Sequence, residues 1–395
     1  MIQSINTPLA SLLLTLLLLA GCGNDSRDTP MEQRFAVAHP VTSVAMAAEG
    51  DRLHLAWVEK ASGGSAMAWH RVSEDQGESW SPAVAIDTGQ PAPDRARRDN
   101  DLQLVVSGDQ LLLAWQARGE GFMGAGPMVM ARSGDAGVSW QPAESAARAD
   151  EAEAHGFFDL SLDASGRLHA AWLDNRTGQQ GLQVAQSDDL GASWSPTRTL
   201  VDATCYCCWN RLHHQGDQTH LLYRAEKPRD MALLSLDAAT EETDWQPQGP
   251  VGDFDWQFDG CPHVGGALAG DGDGALHALV WTGKTGHEGL YHLVRHSGTG
   301  DFSEPRALGR PGRHGDLARS PLGLMAAWDE PDQGAIRLAR LEEDGFGAPR
   351  DLRRDTRRAP QRPLLAATRD RLHVLWTEKS PGGRTEAVLR SLNRH

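Results

Sequence analysis

Seven short apolar phrases, each ending in an aromatic residue, recur along the chain at intervals of 47 to 58 residues. Each phrase follows a turn rich in Gly and Asp and lies between runs in which apolar and polar residues alternate. A period of two indicates antiparallel strands. Units of this length with four strands each are typical of β-propeller blades. The aromatic positions are Trp57, Trp115, Trp172, Tyr223, Trp281, Trp328 and Trp376.

The seven phrases predict an all-β fold, a β-propeller of seven four-stranded antiparallel blades. The last unit, residues 360–393, contains only three strand-like runs. We therefore expect residues 35–38 to supply its fourth strand and close the ring. Closure removes exposed sheet edges, and so explains how an all-β chain of this size avoids association.

A second repeat supports the same fold. The pattern Ser-x-Asp-x-Gly-x-Ser-Trp occurs at residues 73–80, 133–140 and 187–194. It resembles the Asp-box, the BNR repeat of the sialidase superfamily, whose propellers have six blades; six blades plus an irregular segment is the alternative count. We expect the Asp to accept backbone N–H groups within the turn and the Trp to pack on a neighbouring blade, which makes both structural. These residues are Asp75, Trp80, Asp135, Trp140, Asp189 and Trp194.

The amino-terminal residues predict export. Residues 1–21 carry no charge and contain an apolar run typical of a signal peptide. The sequence Leu-Ala-Gly-Cys that ends at Cys22 resembles the bacterial lipobox, which implies a lipid on Cys22; an ordinary cleaved signal with an incidental Cys22 is the alternative. Residues 22–34 then form a lipidated tether, and residues 35–395 a single propeller domain. We expect a lipoprotein of the bacterial cell envelope, with the outer membrane favoured by Gly23.

The composition limits the classes of partner that the protein is expected to bind. The 395 residues carry a net charge of -15, which argues against nucleic-acid binding because that requires a basic face. The chain has 13 Trp beside 3 Tyr, and the two repeats account for most of the Trp. We expect a monomer that meets a small ligand, a glycan or an envelope protein.

The four cysteines other than Cys22 lie in the segments that lead into the innermost strands of blades four and five. We expect those segments to meet near the central channel. An exported protein favours disulfides. The alternatives are a soft-metal site for Cu(I) or Zn, with His263 or His213 as a further ligand, and one disulfide beside a free thiol pair. The residues of this cluster are Cys205, Cys207, Cys208, Cys261 and His263. The pairing of Cys-x-Cys-Cys with a later Gly-Cys-Pro resembles exported sialidase-like lipoproteins, and that resemblance implies no activity.

The same leading segments hold most of the candidate ligand-binding residues. These are Arg98, His155, Trp209, Trp256, Arg313, His314 and Arg362. Other histidines recur just before the aromatic residue of their blade. Equivalent positions around a ring stay far apart, so we interpret those histidines as structural. They are His54, His169, His220, His277 and His373.

The sialidase resemblance implies an arginine triad, a Tyr nucleophile paired with Glu, an Asp acid/base and a Phe/Tyr-Arg-Ile-Pro motif. That motif does not occur in this sequence, and Tyr206 is the only Tyr in a leading segment. Arg98, Arg313 and Arg362 could converge on an anion, but we favour ion pairs with Asp99, Asp101 and Asp316. We therefore predict a binding module whose channel mouth holds a metal ion, a glycan or a partner protein. The alternatives are a diverged glycoside hydrolase of the exo-sialidase type and an inert, disulfide-closed interaction scaffold.

Overall fold

Seven antiparallel sheets form a closed ring, which confirms the seven-bladed β-propeller and excludes the six-bladed alternative. The computed structural model describes residues 31–35, 38–148, 152, 154–237, 244–297, 300–309 and 311–393. Cys22, the predicted signal peptide and most of the predicted tether lie outside these residues. The helical segments of the described chain are two short 3₁₀ turns, Phe122–Gly124 and Pro331–Gln333. Within the described residues, no helix has the length and apolar character needed to cross a membrane.

The first four blades follow one another along the chain, each starting with its innermost strand. Blade one contains β2 (Val41–Glu49), β3 (Arg52–Lys60), β4 (Ala66–Ser73) and β5 (Val84–Ile86). Blade two contains β6 (Gln103–Ser107), β7 (Gln110–Arg118), β8 (Ala125–Ser133) and β9 (Gln141–Ala143). Blade three contains β10 (Gly156–Leu162), β11 (Leu168–Asp174), β12 (Gly181–Ser187) and β13 (Arg198–Val201). Blade four contains β14 (Arg211–Gln215), β15 (Gln218–Arg224), β16 (Met231–Asp237) and β17 (Gln246–Val251).

The last three blades include the closure. Blade five contains β18 (Ala267–Gly270), β19 (Leu276–Thr282), β20 (Gly289–Arg295) and β21 (Arg306–Gly309). Blade six contains β22 (Arg313–Ser320), β23 (Gly323–Glu330), β24 (Ala335–Glu342), β25 (Gly345–Phe346) and β26 (Arg350–Arg354). Blade seven contains β27 (Gln361–Ala367), β28 (Arg371–Lys379), β29 (Thr385–Asn393) and, from the other end of the chain, β1 (Met31–Phe35).

The strand that closes the ring starts earlier than predicted. β1 pairs with β29 from Met31 opposite Ser391 to Phe35 opposite Ala387, so the predicted run 35–38 contributes only its first residue to this strand. Residues 36–37 lie outside the described residues. Phe35 is buried, and its ring lies 5.2 Å from that of Trp80.

The aromatic residue of the second strand of each blade is the centre of the packing between blades. Trp57, Trp172, Trp328 and Trp376 are at most 1% exposed. In each of these four strands an acidic residue follows the Trp by two positions, on the same face of the strand, and accepts its indole N–H. The pairs are Trp57 with Glu59, Trp172 with Asp174, Trp328 with Glu330 and Trp376 with Glu378. This Trp-x-Asp/Glu repeat was not predicted from the sequence.

The three Asp-boxes have one common geometry. In the first, Oδ2 of Asp75 accepts the hydroxyl of Ser79 and Oδ1 accepts its backbone N–H at 2.8 Å, and these hydrogen bonds lower the pKa of Asp75 to about 2. Asp135 and Asp189 bind Ser139 and Ser193 in the same way. Each box Trp reaches the preceding blade: Trp80 contacts Gln33 of β1, Trp140 lies beside His70, and Trp194 donates to the carbonyl of Glu144.

Buried histidine pairs lie between strands of the same blade. Nδ1 of His54 lies 3.1 Å from Nε2 of His70, and Nδ1 of His277 lies 2.9 Å from Nε2 of His292. Burial lowers the pKa of His54 to about 4 and that of His70 to about 3. These imidazoles are therefore neutral in the folded protein at pH 7.

Acidification is expected to destabilise the protein before its carboxylates titrate. The unfolded chain takes up protons on these histidines below pH 6.5, whereas the folded chain resists them until about pH 4. The free energy of unfolding is thus at its full value above pH 6.5. It decreases as the pH falls, by up to about 1.4 kcal/mol per pH unit for each such histidine. Urea unfolding at a series of pH values measures this. A free energy of unfolding that stays constant from pH 6.5 to 5 would contradict it.

Candidate functional site at the channel mouth

The leading segments of several blades enclose a cavity of about 130 Å³ at the end of the central channel. We call it the mouth cavity. Arg98 and its neighbours come from blade two, Phe157 from blade three, and Trp209 and Arg211 from blade four. Blades six and seven contribute His314 and Arg362. The structure therefore brings Arg98, Trp209, His314 and Arg362, four of the residues predicted from the sequence, to one cavity.

Irregular backbone directs three of these side chains. The pairing of the innermost strand shifts register at Phe157, His314 and Arg362, and all three residues have positive φ, at 54°, 43° and 54°. A left-handed backbone costs a residue other than Gly roughly 1 kcal/mol or more, and bulges of this kind re-aim side chains. Three blades thus present a side chain to the same cavity through the same type of bulge with positive φ.

Two aspartates that line the mouth cavity link neighbouring blades through hydrogen bonds. Oδ2 of Asp159 accepts the backbone N–H of Leu212 at 2.6 Å, and Oδ2 of Asp316 accepts that of Leu365 at 2.8 Å. Arg211 lies between these carboxylates, with a nitrogen 3.7 Å from each. This residue was not among the candidates predicted from the sequence. Burial raises the pKa of Asp159 and of Asp316, and the charge of Arg211 opposes that change.

The three predicted arginines behave differently. Arg98 pairs with Asp101 at 2.6 Å and also donates to the carbonyl of Arg362. Arg362 donates in return to the carbonyl of Arg98 at 2.5 Å, and its guanidinium lies 5.8 Å from the ring centre of Trp209. Arg313 is exposed and covers the ring of Trp281 at 5.4 Å, so it neither joins the other two nor pairs with Asp316.

Arg362 brings positive charge to the mouth cavity. In the described part of the chain no carboxylate oxygen lies within 4.0 Å of its guanidinium. Burial lowers the pKa of Arg362 and the charge of Arg98 lowers it further, whereas the more distant charges of Asp99, Asp101 and Asp329 oppose that change. A half-buried guanidinium without a carboxylate in direct contact can accept an anionic group from a ligand.

His314 and Asp329 form a pair beside that arginine. Nδ1 of His314 lies 2.8 Å from Oδ2 of Asp329, and the same oxygen accepts the backbone N–H of Arg362 at 2.8 Å. Asp329 is fully buried. Burial lowers the pKa of His314, so its imidazole is neutral at pH 7, with Nε2 as the nitrogen that Asp329 does not use. His314 was predicted from the sequence, but Asp329, which directly follows Trp328, was not.

The cysteines of blades four and five lie together next to the mouth. The Sγ atoms of Cys205, Cys207 and Cys208 all lie within 4.8 Å of one another, and those of Cys205 and Cys208 are 3.3 Å apart. Cys207 also lies within 4.8 Å of Cys261 and His263, measured between ligand atoms. All four thiols are free.

Protonation of the thiols depends on their position in this cluster. Hydrogen bonds from Cys207 and Cys208 lower the pKa of the Cys205 thiol. Burial raises the pKa of the Cys208 thiol to about 12.

The remaining candidates lie away from the mouth cavity. His155 is fully buried, and its Nδ1 accepts the backbone N–H of Met128. Trp256 is buried, stacked on Phe258 at 5.0 Å. Tyr206 is 48% exposed and lies under the guanidinium of Arg229, whereas a nucleophile would have to face the cavity. His213 is not a member of either group of metal-ligating side chains found among the described residues.

These features define a seven-bladed β-propeller with a polar mouth cavity. No family model and no curated protein matches the sequence. Among solved structures, the fold is similar to that of the polysaccharide lyase Uly1, with a TM-score of 0.59 and 11% identity over 91% of each chain. It is also similar to a PL25 ulvan lyase bound to -[GlcA(1-4)Rha3S]-, with a TM-score of 0.60 and 9% identity over 90% of this chain and 95% of that one.

The fold is also similar to that of a sialidase from Trypanosoma rangeli. The TM-score is 0.52 and the identity 10%, over 92% of this chain and 60% of that one. The fold is thus related to those of glycan-acting enzymes.

Proposed function

We propose that the protein is an envelope-anchored module that binds an acidic saccharide in the mouth cavity. The observation that carries this proposal is the guanidinium of Arg362, which has no carboxylate within 4.0 Å in the described chain and lies over the half-buried ring of Trp209. A carboxylate or sulfate is the natural counter-ion of such an arginine, and an aromatic ring beside it offers an apolar surface to the sugar. The lipobox-like sequence before Cys22 supports the anchor.

The fold comparisons agree with this choice of ligand. The ulvan lyase is bound to a saccharide that contains GlcA, an acidic sugar. At 9% identity that similarity concerns the fold, so the ligand class proposed for this chain depends on its own arginine and tryptophan.

Binding of an acidic oligosaccharide is expected to weaken at least tenfold, or about 1.4 kcal/mol, in Arg362→Gln. Isothermal titration with uronate-containing oligosaccharides and their neutral counterparts measures this. Arg313→Gln is the matched control, because Arg313 covers Trp281 outside the mouth cavity; we expect its affinity to stay within about twofold of wild type. Failure of every acidic oligosaccharide to bind, or equal effects of the two variants, would reject the proposal.

A second candidate, a glycan lyase, is favoured by the pair of His314 and Asp329 beside Arg362. An arginine that neutralises a uronate carboxylate acidifies the adjacent C–H. Neutral Nε2 of His314 could take that proton while a C=C bond forms, the glycosidic C–O bond breaks, and the leaving oxygen takes a proton from water. The exo-sialidase alternative has less support, because Tyr206 does not line the mouth cavity.

Two readouts in the same samples separate the two functions. A lyase generates ultraviolet absorbance from the unsaturated uronate, and His314→Gln should abolish it while leaving binding in place. A binding module gives heat of binding without that absorbance.

A further inference from the structure

The cysteine cluster is a second site, separate from the mouth cavity. Four thiols and one imidazole from two blades meet there, and Cys207 belongs to both groups of neighbouring ligand atoms. We propose that Cys205, Cys207, Cys208, Cys261 and His263 form a binding site for a soft d¹⁰ metal ion, Cu(I) or Zn(II). This proposal does not depend on saccharide binding.

The distances suit an ion of this kind. Metal–sulfur bonds of about 2.3 Å in tetrahedral geometry place sulfur atoms about 3.8 Å apart. The sulfurs of Cys205 and Cys208 are 3.3 Å apart, and the ligand atoms of each group lie within 4.8 Å of one another. Small side-chain rotations therefore bring either group around one ion, and soft thiolates are the ligands that Cu(I) and Zn(II) prefer.

The charge around the cluster favours a metal over two disulfides. Arg224 is 2% exposed, and its guanidinium donates only to backbone carbonyls, those of Val264, Arg229 and Trp281. In the described chain no carboxylate lies within 4.0 Å of it. Asp230 is farther away, and its oxygens accept the N–H groups of Asp255 and Trp256.

A buried guanidinium requires negative charge nearby. Cys205 and Cys208 lie within electrostatic range of Arg224. Three thiolates around one Cu(I) carry a net charge of about -2, because each ligand binds deprotonated. Disulfides between Cys205 and Cys208 and between Cys207 and Cys261 would be neutral and would leave Arg224 with its carbonyl partners and the more distant charge of Asp230.

The cluster is closed on one side and open on the other. Cys205, Cys207 and Cys208 are buried, whereas Cys261 is exposed. Nδ1 of His263 lies 3.1 Å from Oδ2 of Asp99, and carboxylates commonly orient a metal-binding imidazole in this way. Cys261 and His263 thus give an ion a route from solvent to the buried thiols.

The experiment uses the full chain with Cys22→Ser, which removes the only cysteine outside the cluster. Reduced protein is titrated anaerobically with Cu(I) against a chromophoric Cu(I) chelator and, separately, with Zn(II) against a Zn(II) chelator. We expect one ion per chain in at least one titration, and X-ray absorption that shows mainly sulfur ligands at about 2.3 Å. The titrations distinguish Cu(I) from Zn(II).

Variants locate the site. Cys207→Ser should weaken binding at least a hundredfold, because Cys207 belongs to both groups, and Cys261→Ser at least tenfold. Cys261 is exposed, so its variant leaves the core intact even if Cys207→Ser fails to fold. The proposal is wrong if reduced protein binds neither ion, if Cys261→Ser binds as tightly as the parent, or if purified protein contains two disulfides and gains no metal after reduction.

Discussion

Deletion of residues 1–35 is expected to lower the free energy of unfolding by at least about 3 kcal/mol and to cause self-association. The deletion removes β1, the strand that completes blade seven. Loss of the buried ring of Phe35 alone accounts for about 1.5–3 kcal/mol. Loss of the ladder from Met31 to Phe35 leaves the edge of β29 exposed to other chains.

Deletion of residues 1–30 is the matched control. It removes the predicted signal peptide and most of the tether but keeps β1, so we expect unchanged stability and no association. Urea unfolding measures the free energy, and sedimentation velocity measures the association. Equal stability of the two truncated chains would show that the ring does not depend on β1.

The repeats allowed the fold to be predicted from the sequence. Alternating apolar residues around Trp57 and its six equivalents predicted the blades, and the Asp-box predicted the hairpins that join their outer strands. The start of β1 was not predictable in this way. Its residues Met31 to Arg34 are mostly polar, and they are held by partners distant in the sequence, such as the ion pair of 2.7 Å between Glu32 and Arg390.

The site was predictable only as a region. Innermost strands begin near a propeller channel, so their leading segments included Arg98, Trp209, His314 and Arg362, which line the mouth cavity. Which neighbour faces the cavity depends on local backbone. His314 lines the cavity, whereas the adjacent Arg313 lies over Trp281, because successive residues of a strand point to opposite faces and a bulge shifts the alternation. No pattern in one sequence locates such a bulge.

Asp329 was overlooked for a related reason. In the sequence Asp329 lies between Trp328 and Glu330 in the second strand of its blade, and nothing in the repeat marks it as different from its neighbours. Its role arises from contacts with His314 of the same blade and with the backbone of Arg362 in the next. Such contacts depend on how the blades are arranged around the ring.

A large loss of stability is expected for Glu378→Ala. The side chain of Glu378 is fully buried and accepts hydrogen bonds from Arg34 at 2.9 Å, from Arg353 at 2.9 and 3.0 Å, and from Trp376 at 3.0 Å. Arg34 belongs to β1 and Arg353 to β26 of blade six. One carboxylate therefore joins the closing strand, the last blade and its neighbour.

Removing the carboxylate leaves the buried indole N–H of Trp376 without its acceptor, and it takes one counter-ion from Arg353 and one from Arg34, which keeps Glu32 at 2.9 Å. An unsatisfied buried donor costs about 1–3 kcal/mol and a partly exposed ion pair up to about 1 kcal/mol, so we expect a loss of about 2–4 kcal/mol. Glu386→Ala is the matched control, because Glu386 lies on the adjacent strand, 3.6 Å from Arg34, and accepts no short hydrogen bond from it. We expect a loss below about 1 kcal/mol there. Urea unfolding of both variants measures the difference; similar losses would mean that closure depends on the β1 ladder rather than on the charge of Glu378.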